Sequence, residues 1–143
     1  LQDSYSPDGR FRAEALRGQG GLTQIFYSDA LYDTKHEATR FGNGVAWSPA
    51  WSPVDNRIAF VANESGNDEI YVVVAGEWPA QRLTENRWEW DHSPTWSPDG
   101  SQLLFDSNRE TGVRQLWLMD ADGANARRVT DFAWEVFEPV WVK

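Results

Sequence analysis

An aromatic residue returns along this chain at a nearly constant interval. Tyr5, Trp51, Trp96 and Trp141 are 46, 45 and 45 residues apart. Pro94-Thr95-Trp96-Ser97-Pro98-Asp99-Gly100 is the fullest copy of the surrounding pattern. Tyr5-Ser6-Pro7-Asp8-Gly9 and Trp51-Ser52-Pro53-Val54-Asp55 are variants, and Pro139-Val140-Trp141 keeps the aromatic without the turn. Self-similarity at a fixed period of this size marks a repeat architecture and outranks local propensity. Within a copy, proline presets φ for a type I turn and aspartate caps the turn with its side chain. Glycine then takes the left-handed conformation that the following bulge requires. The motif is therefore read as a hairpin turn rather than a ligand loop.

Between these turns the chain alternates as half-buried strands do. The second unit reads Arg57-Ile58-Ala59-Phe60-Val61, a turn at Ser65-Gly66-Asn67-Asp68, Ile70-Tyr71-Val72-Val73-Val74, then Gln81-Arg82-Leu83-Thr84. The third repeats it as Gln102–Asp106, Gln115–Met119 and Arg127–Thr130, with Asp120-Ala121-Asp122-Gly123 as a turn. The first, with Phe11–Ala15, Gln24–Ser28 and Glu37–Thr39, is looser. Arg12 stands where Ile58 and Leu103 stand, which predicts a bulge or a strand facing differently. No segment has helical period. Four short antiparallel strands in about 45 residues fit one blade of a β-propeller. The expectation is all-β: three four-stranded blades, about 3–48, 49–93 and 94–137, with a leftover inner strand at 138–143.

The run Pro94–Thr130 resembles the TolB-like β-propeller repeat (P-x-W-S-P-D-G, an apolar strand, S-x-R, a turn, I-Y-V-M-x-x-D-G, R-R-L-T), a WD-type pattern. Residues 49–84 follow it well and the first unit more loosely. The resemblance implies a propeller scaffold, commonly six-bladed, often periplasmic or secreted, and implies no reaction. Three blades cannot close a ring, because propellers use roughly four to eight. Either two chains meet about a two-fold axis as a homodimer, or the chain belongs to a longer propeller. The terminal Pro139, Val140, Trp141 and Val142 are the expected oligomer interface, completing the first blade of a partner.

The chain has 143 residues, with 13 Lys+Arg against 22 Asp+Glu and a net charge of −9. That balance argues against nucleic acid and anionic membrane surfaces as partners. No apolar run approaches the ~20 residues that span a bilayer, and no signal peptide pattern occurs. A start at Leu1 points to a processed or excised piece. Zero cysteines exclude disulfides and thiolate metal sites.

The segments joining one blade to the next, 40–47, 85–93 and 131–138, are strongly aromatic, and in propellers they reach one mouth of the central channel. Trp47, Trp88, Trp90, His92, Trp134 and Phe137 are the candidate binding residues, for a protein, peptide or small ligand stacking on aromatic faces. The competing interpretation is that they pack between blades. Asp91, Ala46 and Val136 are equivalent by repeat; the family often has an acid there, and only Asp91 keeps it. His92 beside Asp91 is read as a hydrogen-bonded histidine rather than a metal or acid–base pair. Arg109, Arg114, Arg127 and Arg128 are read as a solvated face. Asn63-Glu64-Ser65 is a weak glycosylation pattern. Neither a nucleophile elbow nor a phosphate loop occurs, and no metal or cofactor is expected. The expectation is a non-catalytic binding module. The alternatives are the propeller portion of a peptidase or polysaccharide-cleaving enzyme, and an excised or engineered repeat piece with a purely structural role.

Overall fold

The computed structural model describes residues 5–142; Leu1 to Ser4 and Lys143 lie outside the described residues, and with them the outer ends of the first-blade and closing-strand expectations. Among the described residues, eleven strands form three antiparallel sheets. The first contains β1 (Phe11–Arg17), β2 (Thr23–Asp29) and β3 (Lys35–Glu37). The second contains β4 (Ala46–Trp51), β5 (Arg57–Ala62), β6 (Glu69–Val74) and β7 (Gln81–Arg82). The third contains β8 (Asp91–Trp96), β9 (Gln102–Ser107), β10 (Gln115–Asp120) and β11 (Arg127–Arg128). Each is a simple up-and-down meander in chain order, as blades are.

The turns behave as their residues dictate. Gly9 N and Gly100 N donate to Ser6 O and Ser97 O at 2.8 and 2.9 Å, and both glycines have φ near +70°. Asp99 Oδ1 accepts from Ser97 Oγ, Ser101 Oγ and Ser101 N, and the Ser101 and Ser97 bonds lower its pKa to about 2. A lowered acid stabilises the fold above its ordinary value of 3.8, and that contribution disappears as pH falls through about 2. Asp99→Asn is thus expected to lower the urea midpoint at pH 7, with the gap to the native chain closing between pH 3.8 and 2.

Two apolar slabs hold the sheets together. Ala13, Ile25 and Ala38 of the first meet Trp51, Ile58, Phe60 and Tyr71 of the second. Ala59, Val61 and Ile70 of the second meet Trp96, Leu103, Phe105, Trp117 and Met119 of the third. Strand β5 is buried on both faces, which is why Ile58–Ala62 is continuously apolar rather than alternating.

In the first sheet the expected bulge is absent: β1 pairs with β2 without interruption from Phe11↔Asp29 to Arg17↔Thr23. Arg12 holds the register of Ile58 and Leu103 (Tyr5↔Arg12, Trp51↔Ile58, Trp96↔Leu103). Its polarity fits that flank of the first sheet, against which no other sheet packs among the described residues. The innermost strand expected in the first unit is represented, among the described residues, by the single bridge Tyr5–Arg12.

Residues 138–142 are likewise not a strand, and no strand among the described residues pairs with them. Their backbone nevertheless repeats that of β4 and β8. Ser48, Ser93 and Glu138, 45 residues apart, have φ of 52°, 56° and 53°, and the first two sit at register shifts in their sheets. Trp96 Nε1 donates to Ala50 O at 2.8 Å, and Trp141 Nε1 donates to Thr95 O at 3.3 Å, one sheet further on. So the terminal segment occupies the inner position that would follow the third sheet.

Candidate functional site

Antiparallel pairing puts the sheet-to-sheet connections at the same end as the β5–β6 and β9–β10 turns. Each connection is held by one side chain at the start of β2, β6 or β10. Gln24 Oε1 accepts from Thr39 Oγ1 and Phe41 N, and its amide donates to Phe41 O. Gln115 does the same with Thr130 and Phe132, and also donates to Trp134 O. Glu69 takes this place in the second sheet, accepting from Thr84 Oγ1 and from Asn86 N and Nδ2. The three threonines in turn accept from Ile25 N, Ile70 N and Leu116 N, each at 2.9 Å. Sequence reasoning missed these clamps, although their signal was present: a Gln or Glu followed by Thr fifteen residues later in all three units. Burial raises the Glu69 pKa, with the neighbouring Asp91 adding to the effect.

Glycine is required where a connection crosses the next sheet. Gly44 has φ of +70°, and a Cβ there would lie 2.8 and 2.9 Å from Glu64 N and Cα. At Gly9, also left-handed, a Cβ would meet nothing within 4 Å. Gly9→Ala is expected to cost about 1–2 kcal/mol of backbone strain. Gly44→Ala should cost about 1–3 kcal/mol beyond that, from overpacking against backbone. Urea unfolding of the two variants side by side checks the difference.

Four of the candidate aromatics form one ladder. Trp47 lies edge-on to the His92 ring at 6.0 Å, and His92 stacks on Trp90 at 4.5 Å. The Arg114 guanidinium sits over Trp90 at 4.7 Å and over Phe137 at 4.9 Å. The ladder thus runs Trp47–His92–Trp90–Arg114–Phe137, from the second sheet across the third. Arg114 is therefore a packing element, not part of a solvated face. Arg109 departs from that expectation too: its guanidinium pairs with Asp91 and lies over Phe105 and Trp117.

Asp91 and His92 do not act together. Successive residues of a strand point to opposite faces. His92 Nε2 is 2.7 Å from Asp68 Oδ2, whereas Asp91 is fully buried with Arg109 and Asn86 Nδ2. Among the described residues, no group of three or more His, Cys, Asp or Glu is placed to hold a metal ion. Asp120 and Asp122 serve their hairpin: Gly123 N donates to Asp120 O, and Asp122 Oδ1 accepts from Ala124 N.

Trp88 and Trp134 stand apart from the ladder. They are 67% and 65% exposed, and occupy equivalent places two residues beyond the clamped Asn86 and Phe132. Phe132 stacks on Trp134 at 4.9 Å and 14°. A cleft of about 870 Å³ runs along the inner edges of the sheets, walled by Arg12, Glu14, Ser48, Ser93, Glu138 and Val140. None of the seven candidate binding residues, Trp47, Trp88, Trp90, Asp91, His92, Trp134 and Phe137, lines it. Of the terminal candidates, Pro139 and Val140 do; Trp141 is half-buried and Val142 is exposed.

Comparison with known proteins places this geometry. Tol-Pal system protein TolB of Anaeromyxobacter dehalogenans is 41% identical over 130 residues, which are 91% of this chain and 29% of that protein. A Bacillus subtilis protein named uncharacterized peptidase YuxL is 33% identical over 99 residues, 65% of this chain and 15% of that protein. An uncharacterized protein of Agrobacterium fabrum is 29% identical over 129 residues, 90% of this chain and 43% of that protein. The crystal structure of TolB from Acinetobacter baumannii superposes with a TM-score of 0.75 at 18% identity, over 91% of this chain and 32% of that one. The chain spans less than half the length of these curated relatives. Residues 4–142 match the family described as TolB beta propeller domain, so the chain belongs to that family.

Proposed function

We propose that the chain is a non-catalytic propeller module that binds a peptide or protein segment across the connection end of its sheets, with Trp88 and Trp134 as anchors. The observation that carries this is their exposure at equivalent positions on adjacent sheets, while Trp47, Trp90, His92 and Phe137 are taken up in the ladder around Arg114. Large exposed aromatics on clamped backbone bury much area for little ordering cost, which is the property of an interface hot spot. Peptides selected from a displayed random library on the native protein should bind Trp88→Ala/Trp134→Ala about 30-fold more weakly, the equivalent of roughly 2 kcal/mol. The stability of that variant should stay within about 0.5 kcal/mol of native. Peptides that bind both proteins equally would defeat this assignment.

The module works as part of a closed ring, in a periplasmic or secreted setting by family resemblance. A second copy of the chain closes it, with residues 138–142 seated as an inner strand of that copy's first sheet. A second reading, the propeller portion of a peptidase, is favoured by the similarity to the Bacillus subtilis protein named a peptidase. In that case the reacting groups would belong to the remainder of the longer protein.

A further inference from the structure

Two of the three connections carry the same short pattern. Thr84-Glu85-Asn86-Arg87-Trp88-Glu89 and Thr130-Asp131-Phe132-Ala133-Trp134-Glu135 align without a gap. Each exposed tryptophan therefore has an acid three residues before it and a glutamate directly after it. In the first connection the corresponding residues are Arg40, Asn43 and Gly44, which supply neither the indole nor the acids. Resting on the reading of Trp88 and Trp134 as anchors, we propose that the partner segment is cationic. It is an arginine- or lysine-bearing stretch of peptide that lays a charged side chain on each indole, with the flanking carboxylates as counter-charges.

The backbone presents rings and acids together. Asn86 N donates to Glu69 Oε1, and Asn86 O accepts from Asn67 Nδ2. Gln115 holds Phe132 N, Phe132 O and Trp134 O in the same way. Glu89 Oε2 accepts from Arg87 N and Trp88 N at 3.2 and 3.3 Å, which fixes its carboxylate beside the tryptophan it follows. A surface ordered in advance loses little freedom on binding.

Charge at this surface is layered, with the acids outermost. Glu85 and Asp131 are 81% and 78% exposed, whereas the arginines that meet them, Arg82 and Arg128, are 36% and 27% exposed. Glu135 likewise stands further out than Arg114, which is spent on Trp90 and Phe137. The contacts Arg128–Asp131 and Arg114–Glu135 are long, at 3.8 and 3.9 Å, and such exposed pairs neutralise each other weakly. An approaching segment therefore meets carboxylate first, on a chain whose net charge is −9.

The rings themselves suit a cation. This chain already sets a guanidinium over Trp78, Trp90, Trp96 and Trp117, at 4.6–5.2 Å from the ring centre. Among the described residues none lies over Trp88 or Trp134. Of the nine tryptophans in the sequence, these two alone have acids at both flanking positions. Indole is the best aromatic platform for a cation, and adjacent carboxylates add to the attraction. A neutral segment would use the rings and waste the acids, and an acidic one would be repelled.

Fluorescence anisotropy with labelled octa-arginine, and with octa-glutamine as the neutral control, tests this at physiological salt. Octa-arginine should bind the native chain, and Trp88→Ala/Trp134→Ala and Glu85→Gln/Asp131→Asn should each weaken it about tenfold. Octa-glutamine should bind none of the three. The second variant changes only exposed side chains, so an unchanged urea midpoint shows that its loss reports charge and not unfolding. Peptides selected from the displayed library should be rich in arginine and lysine. Octa-arginine held equally by the native chain and the tryptophan variant would overturn the proposal, because attraction to any acidic chain would then suffice. Selected peptides that need both tryptophans yet carry no excess of arginine and lysine would overturn the cationic assignment and leave the anchors standing. Selected peptides indifferent to the tryptophans would remove both.

Discussion

Arg109→Met should destabilise the fold by about 3–5 kcal/mol, because it leaves a buried carboxylate without its counter-charge. Asp91 is fully buried, its Oδ1 already lacks a partner, and its Oδ2 is held by Arg109 and by Asn86 Nδ2. Methionine replaces the packing of the arginine stem over Phe105 and Trp117 but none of the charge. The repeat supplies the control. Positions equivalent to Asp91 are Ala46 and Val136, so the same backbone accepts an apolar residue there. Arg109→Met/Asp91→Ala should accordingly recover most of the loss, and urea unfolding of the four proteins of the cycle measures the coupling. Equal stability of Arg109→Met and the native chain would show that the pair with Asp91 contributes nothing to stability.

Phe60→Ala should cost about 3–5 kcal/mol by emptying the slab between the first and second sheets. Phe60 is fully buried on the doubly covered β5, stacks on Tyr71 at 5.6 Å and touches Phe41 at 6.2 Å. The cost falls at the high end of that range because β5 is gripped on both sides and cannot move to fill the void. Tyr71 should report the event directly. Burial and a hydrogen bond to Glu64 raise its hydroxyl pKa to about 12, and loosening the slab should return it toward 10.0, visible in an absorbance titration of phenolate. A large stability loss without that return would mean the cavity collapses elsewhere than against Tyr71.

Strand positions and turns were legible because they depend on near neighbours in sequence. Ser97-Pro98-Asp99-Gly100 closes its hairpin with bonds between residues at most five apart. The roles of the aromatics and arginines were not, because their contacts cross from one sheet to the next. Trp90 looked as available as Trp88, yet Arg114 and His92 both pack against its ring. Arg109 looked like a surface charge, yet it answers a carboxylate eighteen residues away. Arg12 looked like a defect in a strand, but its ladder is regular, and its polarity fits a flank against which no sheet packs among the described residues.

The residues by themselves determined the period, the hairpins, the alternation of faces and the family, since each of these is written in local order along the backbone. Only the folded sheets decided which aromatics are spent on packing and which remain exposed, and that Asp91 and Asp106 lie buried at all. The reason is geometric. A repeat of about 45 residues says which side chains are equivalent, but which ones touch depends on how each sheet is turned against its neighbour.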